Sequence, residues 1–193
     1  MFEQTVRKMV DSQIEKGTLK EEDRNIYRYG YQIMIEFGIN ITVSILIAVL
    51  FRAYDIVIVF TAAYLWLRGC AGGYHARTNL GCFGMSAGML IAVIVAVQYV
   101  NGLQSAAWTP FAAEVIMMPF ICRHSPIPHK NRPISENERI HFKRKVKIVY
   151  SAELAAAFVL QYLGQPVCAL TILAVHAILF IMAALHLLKH DES

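Results

Sequence analysis

Between two long apolar runs, the chain reads Arg68-Gly-Cys-Ala-Gly-Gly-Tyr-His75-Ala-Arg-Thr-Asn-Leu-Gly-Cys82. This motif contains four glycines, two arginines, one histidine and two cysteines. Glycine lets the backbone adopt positive φ and lie close to another chain. A thiol and an imidazole are the two parts of a nucleophilic site, because the imidazole takes the proton of the thiol. The motif therefore places residues suited to chemistry between two apolar segments.

The spacing of His75 and Cys82 limits how they can work together. On one straight α-helix they would share a face but stand roughly 10 Å apart along the axis. That distance is too long for a hydrogen bond, so a joint site needs a bend at Gly81 or at Thr78-Asn79. Two other interpretations stay open. One is a tight turn between helices with an incidental thiol. The other is a zinc site of Cys70, His75 and Cys82, which lacks the paired spacing of common zinc motifs.

The composition indicates a polytopic membrane protein. Of the 193 residues, 56% are hydrophobic and 17% are charged, whereas about 25% are charged in a typical soluble domain. Long apolar runs alternate with short polar segments, as in proteins that cross a bilayer several times. The net charge of +4 does not indicate nucleic-acid binding, because the basic residues flank the apolar runs. Residues 1–31 are too charged to contain the apolar core of a cleavable signal peptide.

We predict an all-α, polytopic integral membrane protein with six transmembrane helices. A helix needs about 20 apolar residues to cross about 30 Å of hydrocarbon. The predicted spans are 32–51, 53–67, 83–100, 103–121, 148–163 and 167–188. They form one transmembrane domain, 32–188, which contains the motif at 68–82 and a basic loop at 123–147. A tail at 189–193 follows.

An amphipathic helical segment at 1–31 precedes the first span. Its apolar residues are spaced along one narrow stripe, with charges between them. Such a helix binds anionic headgroups at a membrane surface, or it is solvated and packs on the rest of the protein. Thr18 to Glu21 has the pattern of a capping box, with Thr18 as N-cap, and predicts the start of a second helix there.

The basic residues predict the orientation. With the N-terminus in the cytoplasm, all but one of the 18 Lys and Arg residues fall on the cytoplasmic side, and the exception is Arg52. Cytoplasmic loops of membrane proteins carry such an excess of basic residues. We therefore expect both termini in the cytoplasm, and His75 and Cys82 at the cytoplasmic face of the cell membrane.

Several ionisable side chains lie in or near the predicted spans: Glu36, Glu114, Glu153, His176 and His186. Ionisable groups are costly inside a bilayer and are candidates for function. Glu36 and Glu153 lie near the basic ends of their spans, and we interpret them as partners of Lys or Arg. Glu114 is the one that we keep as a candidate. A membrane transporter or scaffold without covalent chemistry would use these glutamates as a polar path and would tolerate replacement of Cys82.

Nearly the whole chain resembles the accessory gene regulator B (AgrB) family. The family comprises membrane cysteine endopeptidases that process quorum-sensing peptide precursors in Gram-positive bacteria. The likeness includes Tyr27-x-Tyr-Gly30, the motif at 68–82, and Ser125-Pro-x-x-x-Lys130-Asn-Arg-Pro133-Ile-Ser135 followed by Glu138-Arg139. The resemblance implies Cys82 as the catalytic cysteine and His75 as the catalytic histidine. The arginine and the glycine of the family motif fall on Arg68 and Gly73.

The resemblance also implies a partner and a reaction. The partner is an AgrD-like amphipathic propeptide, whose C-terminal tail is removed through a Cys82 acyl-thioester. Ring closure then gives a thiolactone or a lactone. Backbone amides from Gly72 to Ala76, or Arg68, would stabilise the oxyanion. Arg68 and Arg77 would bind the carboxylates of the tail, or would anchor the helix end by snorkelling to the interface.

The remaining expectations concern other partners. We expect no cofactor and no metal, and the lipid bilayer is the second partner besides the propeptide. Small residues such as Ala155-Ala-Ala157 favour close helix packing and are compatible with a homodimer.

Overall fold

The computed structural model describes residues 2–72, 79–103, 108–126 and 136–191. Within these ranges the protein is α-helical, without strands, as predicted. A short 3₁₀ helix, Glu21–Asp23, precedes the second helix. The α-helices are α1 Phe2–Glu15, α2 Arg24–Phe51, α3 Tyr54–Ala71, α4 Asn79–Gly102, α5 Thr109–His124, α6 Glu136–Tyr162 and α7 Pro166–Asp191.

Four helical segments of the described chain are long and apolar enough to cross a membrane. They are Glu21–Phe51, Tyr54–Ala71, Phe83–Gly102 and Pro166–Leu188. They correspond to the predicted spans 32–51, 53–67, 83–100 and 167–188. With its 16 residues, α5 is about 24 Å long and falls short of about 30 Å of hydrocarbon. The first half of α6 is charged, which lowers its hydropathy, so the prediction of six spans stays a prediction.

The structure differs from the sequence analysis at the basic loop 123–147. The helix α6 begins at Glu136 and continues without a break through the predicted span 148–163. Glu136 and Glu138 lie in its first turn, where the partial positive charge of a helix N-terminus favours carboxylates. Lys, Arg and Glu are also good helix formers. The many charged residues of 123–147 are typical of a solvated segment, but they do not show that the segment is an irregular loop.

The described chain divides into two compact units, Met1–Leu46 and Ile47–Ser193. In the first unit, α1 is tied to the start of α2. The Nη1 atom of Arg24 donates to Oδ1 of Asp11 at 2.5 Å, and the hydroxyl of Tyr31 donates to Oε1 of Gln13 at 3.0 Å. These two hydrogen bonds join the two helices of the predicted amphipathic segment 1–31.

The capping box predicted at Thr18 to Glu21 is wrong. The N-cap residue of the 3₁₀ helix is Lys20, and no side chain makes a capping hydrogen bond there. The acidic residues of Glu21–Asp23 occupy the first turn instead, where negative charge is favoured. The Nη2 atom of Arg24 donates to Oε2 of Glu21 at 2.8 Å. A helix does begin at this point, but charge rather than a hydroxyl stabilises its start.

In the second unit, α7 is the central helix. It packs against α3, α4, α5 and α6. Half of the most apolar stretch of α7 is buried in the described chain, whereas only 22% of the corresponding stretch of α4 is buried. The sequence of α7 is apolar on every side apart from a few polar residues, which is typical of a helix surrounded by others. One of these polar residues, His176, is fully buried.

Candidate functional site

The motif begins in the last turn of α3, which is anchored by a buried face. Phe60, Tyr64, Leu67 and Ala71 all lie on this face, at the spacing that puts side chains on one side of a helix. Leu67 is 0% exposed and Ala71 is 1% exposed. The end of α3 is therefore fixed to the bundle, and Arg68 projects from a fixed backbone position.

Arg68 is half-buried and contacts Tyr64 one turn earlier. Its Nη1 atom donates to the hydroxyl of Tyr64 at 3.2 Å. The guanidinium carbon lies 5.4 Å from the centroid of the Tyr64 ring, within the range of a cation–π interaction. The Tyr64 ring stacks on Phe60, with 5.2 Å between the ring centroids. These contacts limit the directions in which the guanidinium can point.

Gly72 ends α3 in a conformation that requires glycine. Its φ is +73°, which a residue with a Cβ adopts only with strain. Its N–H donates to the carbonyl of Arg68 at 3.0 Å, as at many helix C-termini. Glycine at this position therefore stops the helix directly after the turn that carries Arg68.

The second half of the motif enters α4. The described part of this helix runs from Asn79 to Gly102 and contains Gly81, one of the two places where we expected a bend, and Cys82 lies in its first turn. The other place, Thr78-Asn79, lies partly outside the described residues. Gly73, His75 and Arg77, and the side chain of Cys82, lie outside the described residues. The distance between the Cys82 sulfur and the His75 imidazole thus stays a prediction, as do the roles of Gly73 and Arg77.

Of the other cysteines, Cys122 does not resemble an activated nucleophile. Cys70, Cys122 and Cys168 are free and half-buried. Burial raises the pKa of the Cys122 thiol, and the positive charge of Lys147 opposes this effect only in part. Because the thiolate is the reactive form, Cys122 is a weaker nucleophile than an ordinary thiol. We therefore interpret Cys122 as a structural residue.

The zinc hypothesis is not tested by the described residues. In that part of the chain, no group of three or more His, Cys, Asp or Glu side chains could hold a metal ion. The proposed zinc ligands were Cys70, His75 and Cys82. Since His75 and the side chain of Cys82 are outside the described residues, this hypothesis stays open.

A second polar cluster lies inside the bundle, where α5, α6 and α7 meet. The His176 imidazole lies between two carboxylates. Its Nδ1 atom is 3.2 Å from both oxygens of Glu114, and its Nε2 atom is 3.2 Å from Oε2 of Glu153. The hydroxyl of Tyr150 donates to Oε2 of Glu114, and the Tyr150 ring stacks on the imidazole with 3.9 Å between centroids. We call these four side chains the buried network.

Aromatic contacts on both sides of Glu114 hold α5 in place. Trp108 and Phe111 contact Phe158 of α6, with centroid distances of 5.7 Å and 6.3 Å. Near the other end of α5, Phe120 lies 4.7 Å from Phe180 of α7. Aromatic pairs at such distances contribute packing energy beyond their buried area. They fix the register in which Glu114 meets His176.

The structure corrects our interpretation of Glu153. We expected this residue to pair with Lys or Arg, but its partner is His176, whose Nε2 atom lies 3.2 Å from Oε2 of Glu153. The sequence already argued against a local pair, because no Lys or Arg lies within one helical turn of Glu153. Tyr150 was missed, since nothing in a single helix shows that its hydroxyl meets Glu114. The carboxylate of Glu36 accepts a hydrogen bond from Nε2 of Gln32 at 3.1 Å.

Comparison with known proteins agrees with the resemblance seen in the sequence. The family model described as Accessory gene regulator B matches residues 3–187, essentially the whole chain. No curated protein and no solved structure matches the chain. The matched range includes the motif at 68–82 and all four members of the buried network.

Proposed function

The chain belongs to the accessory gene regulator B family, and from this premise we propose that it is a membrane-embedded cysteine endopeptidase. The family acts in agr quorum sensing and processes peptides there, and it has a propeptide as substrate. The proposed substrate is an AgrD-like amphipathic propeptide, cut just before its acidic C-terminal tail. The observation that carries the proposal is the family match over residues 3–187, which encloses the motif at 68–82.

In the first step, His75 takes the proton of the Cys82 thiol and the thiolate attacks the carbonyl before the tail. A thiol is mostly protonated at neutral pH, so the reaction requires such a base. The C–N bond then breaks, and His75 returns the proton to the departing amine. The products are the free tail and an acyl-thioester on Cys82. The position of Cys82 in the first turn of α4 supports this step, because a helix N-terminus favours a negatively charged group.

Two groups of the motif are proposed to stabilise charge. Backbone amides between Gly72 and Ala76, or the guanidinium of Arg68, would bind the oxyanion of the tetrahedral intermediate. Arg68 and Arg77 would bind the carboxylates of the departing tail. The contacts of Arg68 with Tyr64 support a binding role, since a guanidinium held in one direction loses less entropy on binding an anion.

In the second step, a nucleophile resolves the thioester and releases Cys82. A Cys thiol or a Ser hydroxyl earlier in the same peptide gives a thiolactone or a lactone, and its proton passes to the Cys82 thiolate. Water gives the linear acid instead. A positioned intramolecular nucleophile can have an effective molarity on the order of 10⁵ M or more. A site that excludes water therefore favours ring closure.

We also propose a topology with six membrane crossings. α5 and α6 add two crossings to the four candidate spans, and both termini and the motif face the cytoplasm of a Gram-positive cell. The distribution of Lys and Arg supports this orientation, with Arg52 as the exception on the outer side. The propeptide is then cut at the inner leaflet, where its amphipathic part binds lipid.

Co-expression with a small amphipathic peptide encoded next to this protein tests the proposal. Mass spectrometry should show a product that lacks the tail and is one molecule of water lighter than the linear fragment that hydrolysis would give. The variant Cys82→Ala should insert into the membrane in the same amount and leave the propeptide intact. Cys122→Ala is the matched control and should retain cleavage. Full cleavage by Cys82→Ala would exclude the thioester mechanism.

Two alternative functions predict different outcomes. A transporter or scaffold without covalent chemistry tolerates Cys82→Ala and produces no tail-free peptide. A zinc hydrolase loses activity with a chelator and contains metal after purification. The proposed peptidase is blocked by an alkylating reagent at Cys82 and is insensitive to chelators.

A further inference from the structure

The first part of α6 carries basic side chains that the proposed reaction does not use. Five Lys and Arg residues lie between Arg139 and Lys147, and the chain has no Asp or Glu from Arg139 to Ala152. Most of the side chains from Arg139 to Lys147 are exposed. Such a dense group of like charges attracts a partner of opposite charge.

Three of these residues lie on one side of the helix. At 3.6 residues per turn, Lys143 and Lys147 are about 40° apart around the axis, and Arg144 is about 60° from Lys147. The three residues span about 6 Å along the axis. Lys145 is about 160° from Lys147 and therefore lies on another side. We call Lys143, Arg144 and Lys147 the basic cluster.

The basic cluster has no acidic partner on its own helix. Ion pairs on a helix form between residues three or four positions apart, and no Asp or Glu occupies those positions. Within the described part of the chain, the ion pairs of Asp or Glu with Arg involve Arg24 and Arg139. Like charges at this spacing repel one another. An anion bound between them would therefore stabilise this part of α6.

Packing against the bundle holds the basic cluster in place. Val146 and Tyr150, on the inner side of the same turns, are both 0% exposed. Lys147 lies close enough to the end of α5 for its charge to act on the Cys122 thiol. Because these neighbours fix the backbone under the cluster, the three charges keep their spacing and lose less entropy on binding an anion.

An exposed apolar face continues from the basic cluster along α6. It begins at Ile148, one turn after Arg144, and includes Ala155, Val159 and Tyr162 at helical spacing. Ile148, Val159 and Tyr162 are 61%, 54% and 81% exposed, and Ala155 is exposed too. From Ile148 to Tyr162 this face is about 21 Å long. In the crossing that we propose for α6, it faces lipid.

We propose that the basic cluster binds the headgroup of an anionic phospholipid of the inner leaflet, with an acyl chain along this apolar face. Groups of Lys and Arg next to a membrane span attract such lipids. An acidic peptide would use the charges but leave the apolar face uncovered, whereas a phospholipid fits both. The inference rests on the proposed crossing of α6 and is independent of the reaction at Cys82.

Lipid binding by the full-length protein in a neutral detergent tests this inference. Native mass spectrometry counts bound lipids during titration with phosphatidylglycerol, or with phosphatidylcholine of the same acyl chains. The first phosphatidylglycerol should bind at least about tenfold more tightly than phosphatidylcholine. The triple variant Lys143→Gln, Arg144→Gln and Lys147→Gln should lose this preference. Equal affinities of the wild type for the two lipids overturn the inference.

Lys145→Gln is the matched control for Lys147→Gln, since it removes the same charge two residues away on another side of α6. Lys147→Gln should weaken phosphatidylglycerol binding about fivefold, and Lys145→Gln by less than about twofold. An equal loss in both variants would show attraction by net charge alone and would overturn the assignment to one side of the helix.

Competition separates the phospholipid from other anions. Neither glycerol phosphate nor a soluble peptide of glutamates should displace phosphatidylglycerol at a concentration equal to that of the lipid. Displacement by glycerol phosphate overturns the proposal in favour of a free phosphate, and displacement by the peptide overturns it in favour of an acidic peptide. Cys82→Ala should bind phosphatidylglycerol like the wild type, so a failure of the proposed peptidase leaves this result unchanged.

Discussion

The motif at 68–82 and the buried network are built in opposite ways. The motif gathers its reactive residues within one short stretch, between the end of α3 and the first turn of α4. The network draws its members from three helices, and Glu114 and His176 are separated by 62 positions in the chain. Sequence reveals the first kind of site as a unit. For the second kind it reveals single ionisable residues, and packing shows which of them meet.

The two regions also satisfy their polar groups differently. At the ends of helices, free backbone N–H groups and solvent are available to polar side chains. Inside the bundle, polar side chains must satisfy one another, because an unpaired buried group is costly. Changes in the motif should therefore alter the reaction and leave stability unchanged. Changes in the network should lower stability and leave the reaction unchanged.

The largest expected effect is that of His75→Ala on cleavage. Loss of a positioned general base typically slows a reaction by about 10²- to 10⁴-fold. We expect cleavage of the propeptide to fall within this range, with an unchanged melting temperature. The measurement is a time course of tail release in proteoliposomes, and His129→Ala is the control. A parallel loss of stability would remove the contrast between the two regions.

His176→Ala should have the opposite profile. Removal of the imidazole leaves two buried carboxylates without their partner, which costs about 3–5 kcal/mol in comparable buried pairs. We expect a marked decrease in melting temperature, measured by thermal unfolding in detergent. His141→Ala changes an exposed histidine of α6 and should have almost no effect. Equal melting temperatures for the two variants would contradict a stabilising role of the network.

Arg68→Ala should have an intermediate effect on the reaction. Hydrogen bonds to charged groups contribute about 1.5–3 kcal/mol, so we expect cleavage to fall by roughly 10- to 100-fold. Arg68→Lys should restore only part of this activity, because an ammonium lacks the planar fork of a guanidinium. The control is Arg139→Ala on the exposed part of α6. Wild-type rates for Arg68→Ala would leave only the anchoring role for this residue.

The smallest effect concerns Cys122, which we expect to react slowly and without consequence for activity. Because burial raises the pKa of its thiol, the thiolate is scarce at neutral pH. Alkylation should accelerate as the pH rises beyond the usual range of a thiol. The measurement uses a variant in which Cys70, Cys82 and Cys168 are replaced, with the same variant in denaturant as the control. Equal rates in the folded and unfolded states at every pH would contradict the effect of burial.

Much of the fold was accessible from the sequence because lipid imposes a simple pattern. Four of the predicted spans correspond to long apolar helices of the described chain. The end of α3 at Ala71 also lies one turn from the predicted end of the second span at Leu67. These features depend on local composition and on the positions of glycines, and both can be read from a single sequence.

The remaining features depend on contacts between distant residues. The helical start of α6 was assigned to a loop because charge was used as a sign of irregular structure. The partner of Glu153 was expected nearby on a basic residue, but His176 reaches it from another helix. Tyr150 has no unusual neighbours in sequence, and its role follows only from the packing of α5 on α6. Such pairings are properties of the three-dimensional arrangement.

The unbroken course of α6 has a mechanical consequence. Its 27 residues form a rod of about 40 Å, longer than the roughly 30 Å hydrocarbon layer. Lys147 lies less than one turn before Tyr150, so no joint separates the charged end from the bundle. A force that tilts the charged end of α6 is therefore transmitted along the helix to Tyr150 and Glu153.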